Sequence, residues 1–206
     1  MKPLARLLET PERRPRGPSP TFDRAHLLMA FITIGERGRI GRHSLAVRVG
    51  LGEGAVRTVL KRLREEGLAD ADASGCHLTR GGQAVYSMLA RRLSALEEIE
   101  GSRLTMGSAQ VAICVRSGGG KVRSGIEQRD SAIGVGAAGA TTYVVRDSRF
   151  TIPGGSDDCE RDFPSRVWVA LKRRLKPMDG DAVVLCGSGE GETARLGALS
   201  AALSLL

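Results

Sequence analysis

EGAVRTVLKRLREEGL, residues 53–68, places apolar side chains at Val56, Val59, Leu60 and Leu63. At about 100° per residue these four fall on one stripe of a helix. Gly54, Thr58 and Lys61 lie opposite the stripe, with Arg57 and Arg62 at its flanks. Such a helix is held from behind by its aliphatic side and turns small residues and long cations outward. The outward side is what entry into a DNA major groove requires, because small residues let the backbone approach while Arg and Lys reach phosphates or guanine edges.

The flanking sequence agrees. From Arg37 to Arg64, eight cations stand against one acid, Glu53, a net +7 over 28 residues. Upstream, GRHSLAVRVG predicts a short helix with Leu45, Ala46 and Val49 inward and Gly50 ending it. With the turn GLG and the opening stretch, it makes a helix-turn-helix. Before it, Asp23 caps a helix with Leu27, Leu28, Phe31 and Ile34 on its inner side. After it, LADADASGCHLT reads as two strands around a turn at Asp72–Gly75, a hairpin wing with Ser74 at its tip. Thr79 then caps a long fourth helix, RGGQAVYSMLARRLSALEEIE, whose Leu89, Leu93 and Leu96 recur at helical spacing. Its predicted length of about 20 residues exceeds what a cover for one small domain needs, and suits a dimer contact. A charge-rich helix by itself is more often a solvated face. The element order combined with the local charge excess favours nucleic acid.

The bulk numbers bound the rest. The chain has 206 residues, net charge +8, 26% charged and 41% hydrophobic residues, and only 3% aromatics. That is room for one large or two small domains, with cores built from aliphatic side chains. No apolar run is long enough to cross a membrane and no signal-peptide pattern opens the chain, so the expected compartment is the cytoplasm. Cys76, Cys114, Cys159 and Cys186 form no paired motif, and His26, His43 and His77 supply no zinc spacing. No metal and no cofactor are expected. Residues 1–22, rich in Pro and Arg, read as a flexible basic arm.

Residues 101–108, GSRLTMGS, read as a linker, which makes 23–100 one domain and 109–206 another. The second follows the order β-α-β-β-α-β-α: QVAICV, SGIEQRDSAIGVG with Ser124 and Glu127 at capping-box spacing, TTYVVR, RFTI, FPSRVWVALKRRL, DAVVLC and TARLGALSAALSLL. The expected architecture is α+β, a winged helix followed by a two-layer α/β sandwich with helices on one face of a four-stranded sheet in a split β-α-β arrangement.

Two glycine-rich loops fail as nucleotide sites. In RSGGGKVRSG, Val115 stands where a Walker loop needs its first Gly, and Val122 follows Lys121 where Ser or Thr is required. In CGSGEGETARLG, Glu192 replaces the last Gly of G-x-G-x-x-G. No Ser/His/Asp set exists, so an enzyme is not expected. Lys121, Arg123, Glu127, Arg129 and Asp130 cluster around the first loop and suit a small zwitterionic or sugar-like effector, or else form surface ion pairs.

Residues 20–92 resemble a winged-helix domain of the prokaryotic transcription-regulator type, carried by SLAVRVGLGEGAVRTVLKRLREEGL and LTRGGQAVYSML. The resemblance implies that Gly54, Arg57, Thr58, Lys61 and Arg62 face the groove, that Arg42, His43 and Ser44 meet the backbone, and that Ser74 and His77 act from the wing. Such domains often carry Ser or Thr where Gly52 stands. With KVRSGIEQRDSAIGVGAAGATTYV, most of the chain resembles an archaeal family of winged-helix regulators whose second domain has no assigned ligand. Small βαββαβ modules joined to winged helices bind metabolites and oligomerise, an argument by analogy. The expected partners are double-stranded DNA, a second copy of the chain and a small-molecule effector, with no membrane. The alternatives are a metabolite- or nucleotide-processing enzyme with an accessory winged helix, and a protein-interaction module.

Overall fold

The computed structural model describes residues 22–206, in two compact units divided between Leu89 and Ala90. The basic arm expected at the N-terminus lies outside the described residues up to position 21. Phe22 does not belong to such an arm: it is buried, with the Arg62 guanidinium 5.1 Å above its ring.

The first unit is built from α1 (Arg24–Arg37), β1 (Arg39–Ile40), α2 (Arg42–Val49), α3 (Glu53–Glu65), β2 (Ala69–Asp72), β3 (Gly75–Leu78) and α4 (Arg80–Ala90). Asp23 caps α1, its carboxylate accepting from the amides of Ala25 and His26. Gly50 ends α2 in the left-handed region, φ 66°, where a Cβ is disfavoured, and so turns the chain tightly toward α3. The three helices bury Leu27, Leu28, Phe31, Ile34, Leu45, Val49, Val56, Val59 and Leu63 together. Each large aliphatic side chain so buried contributes about 1.5–3 kcal/mol. The wing is an antiparallel sheet in the order β1-β3-β2, with Asp72 opposite Gly75 at the turn. The two-residue β1, too short to carry a pattern of its own, adds its third strand.

The fourth helix is shorter than its periodicity predicts. α4 ends at Ala90, and residues 92–99 join the second unit instead. There Leu93 is buried and bridges Val115, the Ser94 amide donates to the Cys114 carbonyl, and β4 (Glu97–Ile99) pairs with the next strand. Pairing here closes the open edge of β5 and buries Leu93 and Ile99 in the second unit. The dimer argument drawn from a 20-residue helix therefore loses its basis.

The second unit continues with β5 (Ala109–Val115), α5 (Ile126–Gly134), β6 (Gly139–Arg146), β7 (Arg149–Thr151), α6 (Cys159–Asp162), α7 (Val167–Leu175), β8 (Ala182–Ser188) and α8 (Gly191–Leu203). The sheet has five strands in the order β4-β5-β8-β6-β7. β5 and β6 are each antiparallel to β8, hence parallel to one another with β8 inserted between them. That is the split β-α-β arrangement. Helices cover both faces rather than one. α5 and α8 pack on the side of Cys186, where a Cβ on Gly197 of α8 would lie 2.6 Å from the Cys186 sulfur. α7 covers the other side with Trp168, Leu171 and Leu175 against Tyr143, Val145, Val183 and Leu185. Alternate strand residues point to opposite faces, and both sets here are apolar, so both need a cover.

Residues 101–107 are not a linker but a folded strap on the α7 face. The buried Gln110 side chain holds it, its amide nitrogen donating to the Ser102 carbonyl at 2.8 Å and its oxygen accepting from the Ser102 amide and hydroxyl. Thr141 donates to the Leu104 carbonyl at 2.8 Å. Gly187 allows the close approach: a Cβ there would fall 1.8 Å from the Met106 carbonyl oxygen. The capping box of Ser124 and Glu127 does not form. Gly125 is the N-cap of α5 at φ 80°, without a side-chain cap.

Asp181 ties three segments of this unit together while almost wholly buried. Burial pushes its carboxyl up, but the amides of Met178 and Ser117 and the Arg116 guanidinium, 2.7 Å away, outweigh it and hold the group below its ordinary value. A lowered native pKa gives a stability contribution that is complete above the unfolded carboxylate range, near pH 4, and lost as pH falls through the native value. The full chain should therefore lose thermal stability steeply below pH 4, and Asp181→Asn, already less stable at neutral pH, should flatten that decline. Melting curves from pH 3 to pH 7 read both effects. In the first unit, a Cβ on Gly82 would lie 1.8 Å from the Leu68 carbonyl oxygen. Gly82→Ala should cost about 1–3 kcal/mol in urea unfolding despite its better helix propensity, because the clash is with backbone.

Candidate nucleic-acid interface

The outward face of α3 carries Glu53, Gly54, Arg57, Thr58, Lys61, Arg64 and Glu65, all exposed. Val56, Val59 and Leu63 on its other side are fully buried, and Leu60 is half-buried. The division follows from sequence spacing alone. Arg42, His43 and Ser44, the first turn of α2, are exposed next to it in the chain order of the motif. A cleft of about 740 Å³ runs between α3 and the wing, with Arg42, Arg57 and Lys61 among its lining residues and Asp70, Asp72 and Ser74 among those of the wing.

The cations on this surface differ in what holds them. Arg42 and Arg57 have no ion-pair partner among the described residues, and Lys61 has Glu65 at 3.9 Å, a loose exposed pair. Arg62 stands apart from the others: it is half-buried and committed to the Phe22 ring. His43 Nδ1 lies 3.0 Å from Glu53 Oε1, joining the start of α2 to the start of α3. Thr58 donates its hydroxyl to the Gly54 carbonyl at 3.3 Å.

Sequence reading missed the charge of the wing. Arg39 reaches Asp72 at 2.9 Å, and Arg64 pairs with Asp70. The Ser74 hydroxyl and the Arg39 guanidinium hold the Asp72 carboxyl well below its usual range, and Arg64 does the same for Asp70. Both acids are thus ionised at neutral pH. Ser74, expected at the tip, spends its hydroxyl on Asp72 and Arg39. His77 is mostly covered, with Nδ1 3.8 Å from Asp72. The ADAD spacing was the available signal, since strand alternation puts Asp70 and Asp72 on one face.

Three glycines line the same surface without a structural need for glycine. Gly41 and Gly52 are the N-caps of α2 and α3 at φ −65° and −67°, ordinary values for any residue. Neither they nor Gly54 would bring a Cβ within 4 Å of another part of the protein. Ser at either cap would hold its helix better.

In the second unit the expected effector residues are exposed and pair among themselves. Arg123 lies 3.8 Å from Glu127, and Arg129 lies 3.1 Å from Asp130. Lys121 ends a short 3-10 turn, Gly119–Lys121. All four cysteines are buried and unpaired; burial pushes Cys114 and Cys186 up to about 12, so they act as small hydrophobes.

Comparison with known proteins separates the two units in the same way. Residues 21–93 match the family described as the CggR N-terminal DNA binding domain. The first unit is similar to that DNA-binding domain. Residues 106–205 match a domain of unknown function, DUF4443. Among solved structures, the hypothetical protein PH0730 from Pyrococcus horikoshii OT3 is similar in fold, with a TM-score of 0.66 and 24% identity over 87% of this chain and 90% of that one. No curated protein matches the chain. Among the described residues, no helix is long and apolar enough to cross a membrane.

The acidic wing sets a testable limit on duplex affinity. Asp70→Asn combined with Asp72→Asn removes two carboxylates and releases Arg39 and Arg64. Affinity for non-specific duplex should rise severalfold at low salt, and the slope of log affinity against log salt should steepen by up to about two phosphate equivalents. Fluorescence anisotropy across a salt series measures it.

Proposed function

We propose that this chain is a transcriptional regulator that binds duplex DNA by laying α3 in the major groove. What supports it most is a CggR-like domain whose α3 presents Gly54, Arg57, Thr58 and Lys61 outward while its aliphatic stripe is buried. In this reading Arg57 and Lys61 reach base edges or phosphates, and the small Gly54 and Thr58 let the helix sit deep. Arg42, His43 and Ser44 meet the backbone where the start of α2 crosses it. Arg62 serves chiefly to hold Phe22, and the wing, through Ser74 and His77, contributes less than its place in the fold suggests because Asp70 and Asp72 lie beside them.

One winged helix covers a short site, so two copies reading half-sites about 34 Å apart complete the recognition unit. The second unit assembles the pair or senses a small molecule, with Lys121, Arg123, Glu127, Arg129 and Asp130 as the polar groups that would meet an effector. An effector acts by binding the DNA-competent arrangement and the other arrangement with different affinities. The regulator needs no catalysis of its own.

The experiment is a salt titration of duplex binding by the wild-type chain and by Arg57→Ala combined with Lys61→Ala. A protein neutralising about six phosphates loses roughly a thousandfold in affinity between 50 and 200 mM salt. The double variant should lose its selected site, at about 1–3 kcal/mol for each base contact removed, with an unchanged melting temperature because neither side chain is buried. Equal affinity in wild type and variant would overturn the assignment of α3.

A further inference from the structure

We propose that Glu53 reads sequence: its carboxylate accepts the N4 amino hydrogen of a cytosine in the major groove, beside a guanine taken by Arg57. The inference rests on the reading of α3 given above and adds the base chemistry at its leading end. Glu53 is the first residue of α3, and the N-terminal residues of a recognition helix are those that reach base edges. It is exposed, as is its neighbour across the turn, His43.

An acid here works against binding a polyanion. Between Arg37 and Arg64 it is the one carboxylate among eight cations, and it stands at the N-terminal end of α3. A carboxylate at a helix start gains from the macrodipole, which gives a structural reason for an acid but none for the residues around it. Gly52 and Gly54 flank it, and neither backbone angle nor packing asks for glycine at those positions. Missing side chains on both sides of an exposed carboxylate leave room for a flat, close surface from outside the protein. His43 Nδ1 holds Oε1 at 3.0 Å, while Oε2 has no hydrogen-bond partner among the described residues. One oxygen is oriented and the other remains to accept.

The donor pattern of the groove selects the base. Guanine and thymine present acceptors that repel a carboxylate. Adenine offers an N6 donor but with the N7 acceptor next to it, and cytosine offers its N4 donor alone. Arg57 stands one turn further on the same face, matched to guanine O6 and N7. Glu53 and Arg57 together therefore favour a short C/G-containing step over other sequences.

Selection from a randomised duplex library, run in parallel with the wild-type chain, Glu53→Ala and Glu53→Gln, tests this, with a melting curve for each protein. The wild type should enrich a motif containing a cytosine preferred by about tenfold or more. Glu53→Ala should leave that position degenerate and bind non-cognate duplex more tightly, and Glu53→Gln should shift it toward adenine, whose N6 and N7 an amide matches. Melting temperatures should hardly differ. An identical motif in all three proteins overturns the inference and leaves the DNA-binding reading standing, as does salt-dependent binding without any enriched motif. Loss of the motif together with a lowered melting temperature in both variants would show Glu53 to be a helix anchor only, and overturns it too. Failure of the wild type to bind any duplex sinks the proposed function itself.

Discussion

The first unit depends on one packing contact: Val56, Val59 and Leu63 of α3 seated in the apolar angle made by α1 and α2. A thirteen-residue helix is marginal by itself in water. Fixed along one side, it becomes a rigid bar, and whatever side chains occupy its other side are presented at constant spacing. The chemistry of the interface is therefore decided by residues that contribute nothing to the core. This division lets Gly52 and Gly54 persist where Ser or Ala would give a firmer helix start. The loss in helix stability is small beside the burial that holds α3 in place.

The electrostatics of the surface are more mixed than net charge suggests. Arg39 and Arg64 are already matched to Asp72 and Asp70, so the cations of this surface left for a polyanion include Arg57 and Lys61 of α3 and Arg42 at the start of α2. On the proposed reading, a wing of this kind weakens indiscriminate attraction to phosphate and leaves recognition to the helix. Exposed ion pairs add little to stability, so the effect of these acids lies in the field they create rather than in the fold. In the second unit the comparable organising group is Asp181, where a buried carboxylate is supplied with donors from the turn after β5 and the loop before β8.

Much of this was legible from residue spacing. The stripe of α3, the Asp23 cap, the Gly50 stop and the Thr79 cap with its 2.9 Å bond from the Gly82 amide all follow from local chemistry. So does the strand and helix order of the second unit. What spacing missed was decided by distant partners. Leu93 continues the heptad-like pattern of α4 yet is buried beside Val115, because the edge of β5 needed covering. The strap at 101–107 looks like a linker in composition, and Gln110 and Gly187, far apart in sequence, make it a folded element. α7 lies on the opposite face from α5 and α8, which no periodicity encodes. On the candidate interface, the two sides of α3 were readable, whereas tertiary packing commits Arg62 to Phe22 and the turn geometry of the wing commits Ser74 to Asp72.

Chemical interference on a bound duplex tests the central claim most directly. Methylation of guanine N7 marks the major groove, and methylation of adenine N3 marks the minor groove. If α3 lies where its outward face suggests, bound molecules will be depleted of N7-methylated guanines at a few positions, and Arg57→Ala will relieve that depletion at one of them. Depletion confined to N3-methylated adenines, with guanine N7 freely modified in bound duplex, would contradict the account.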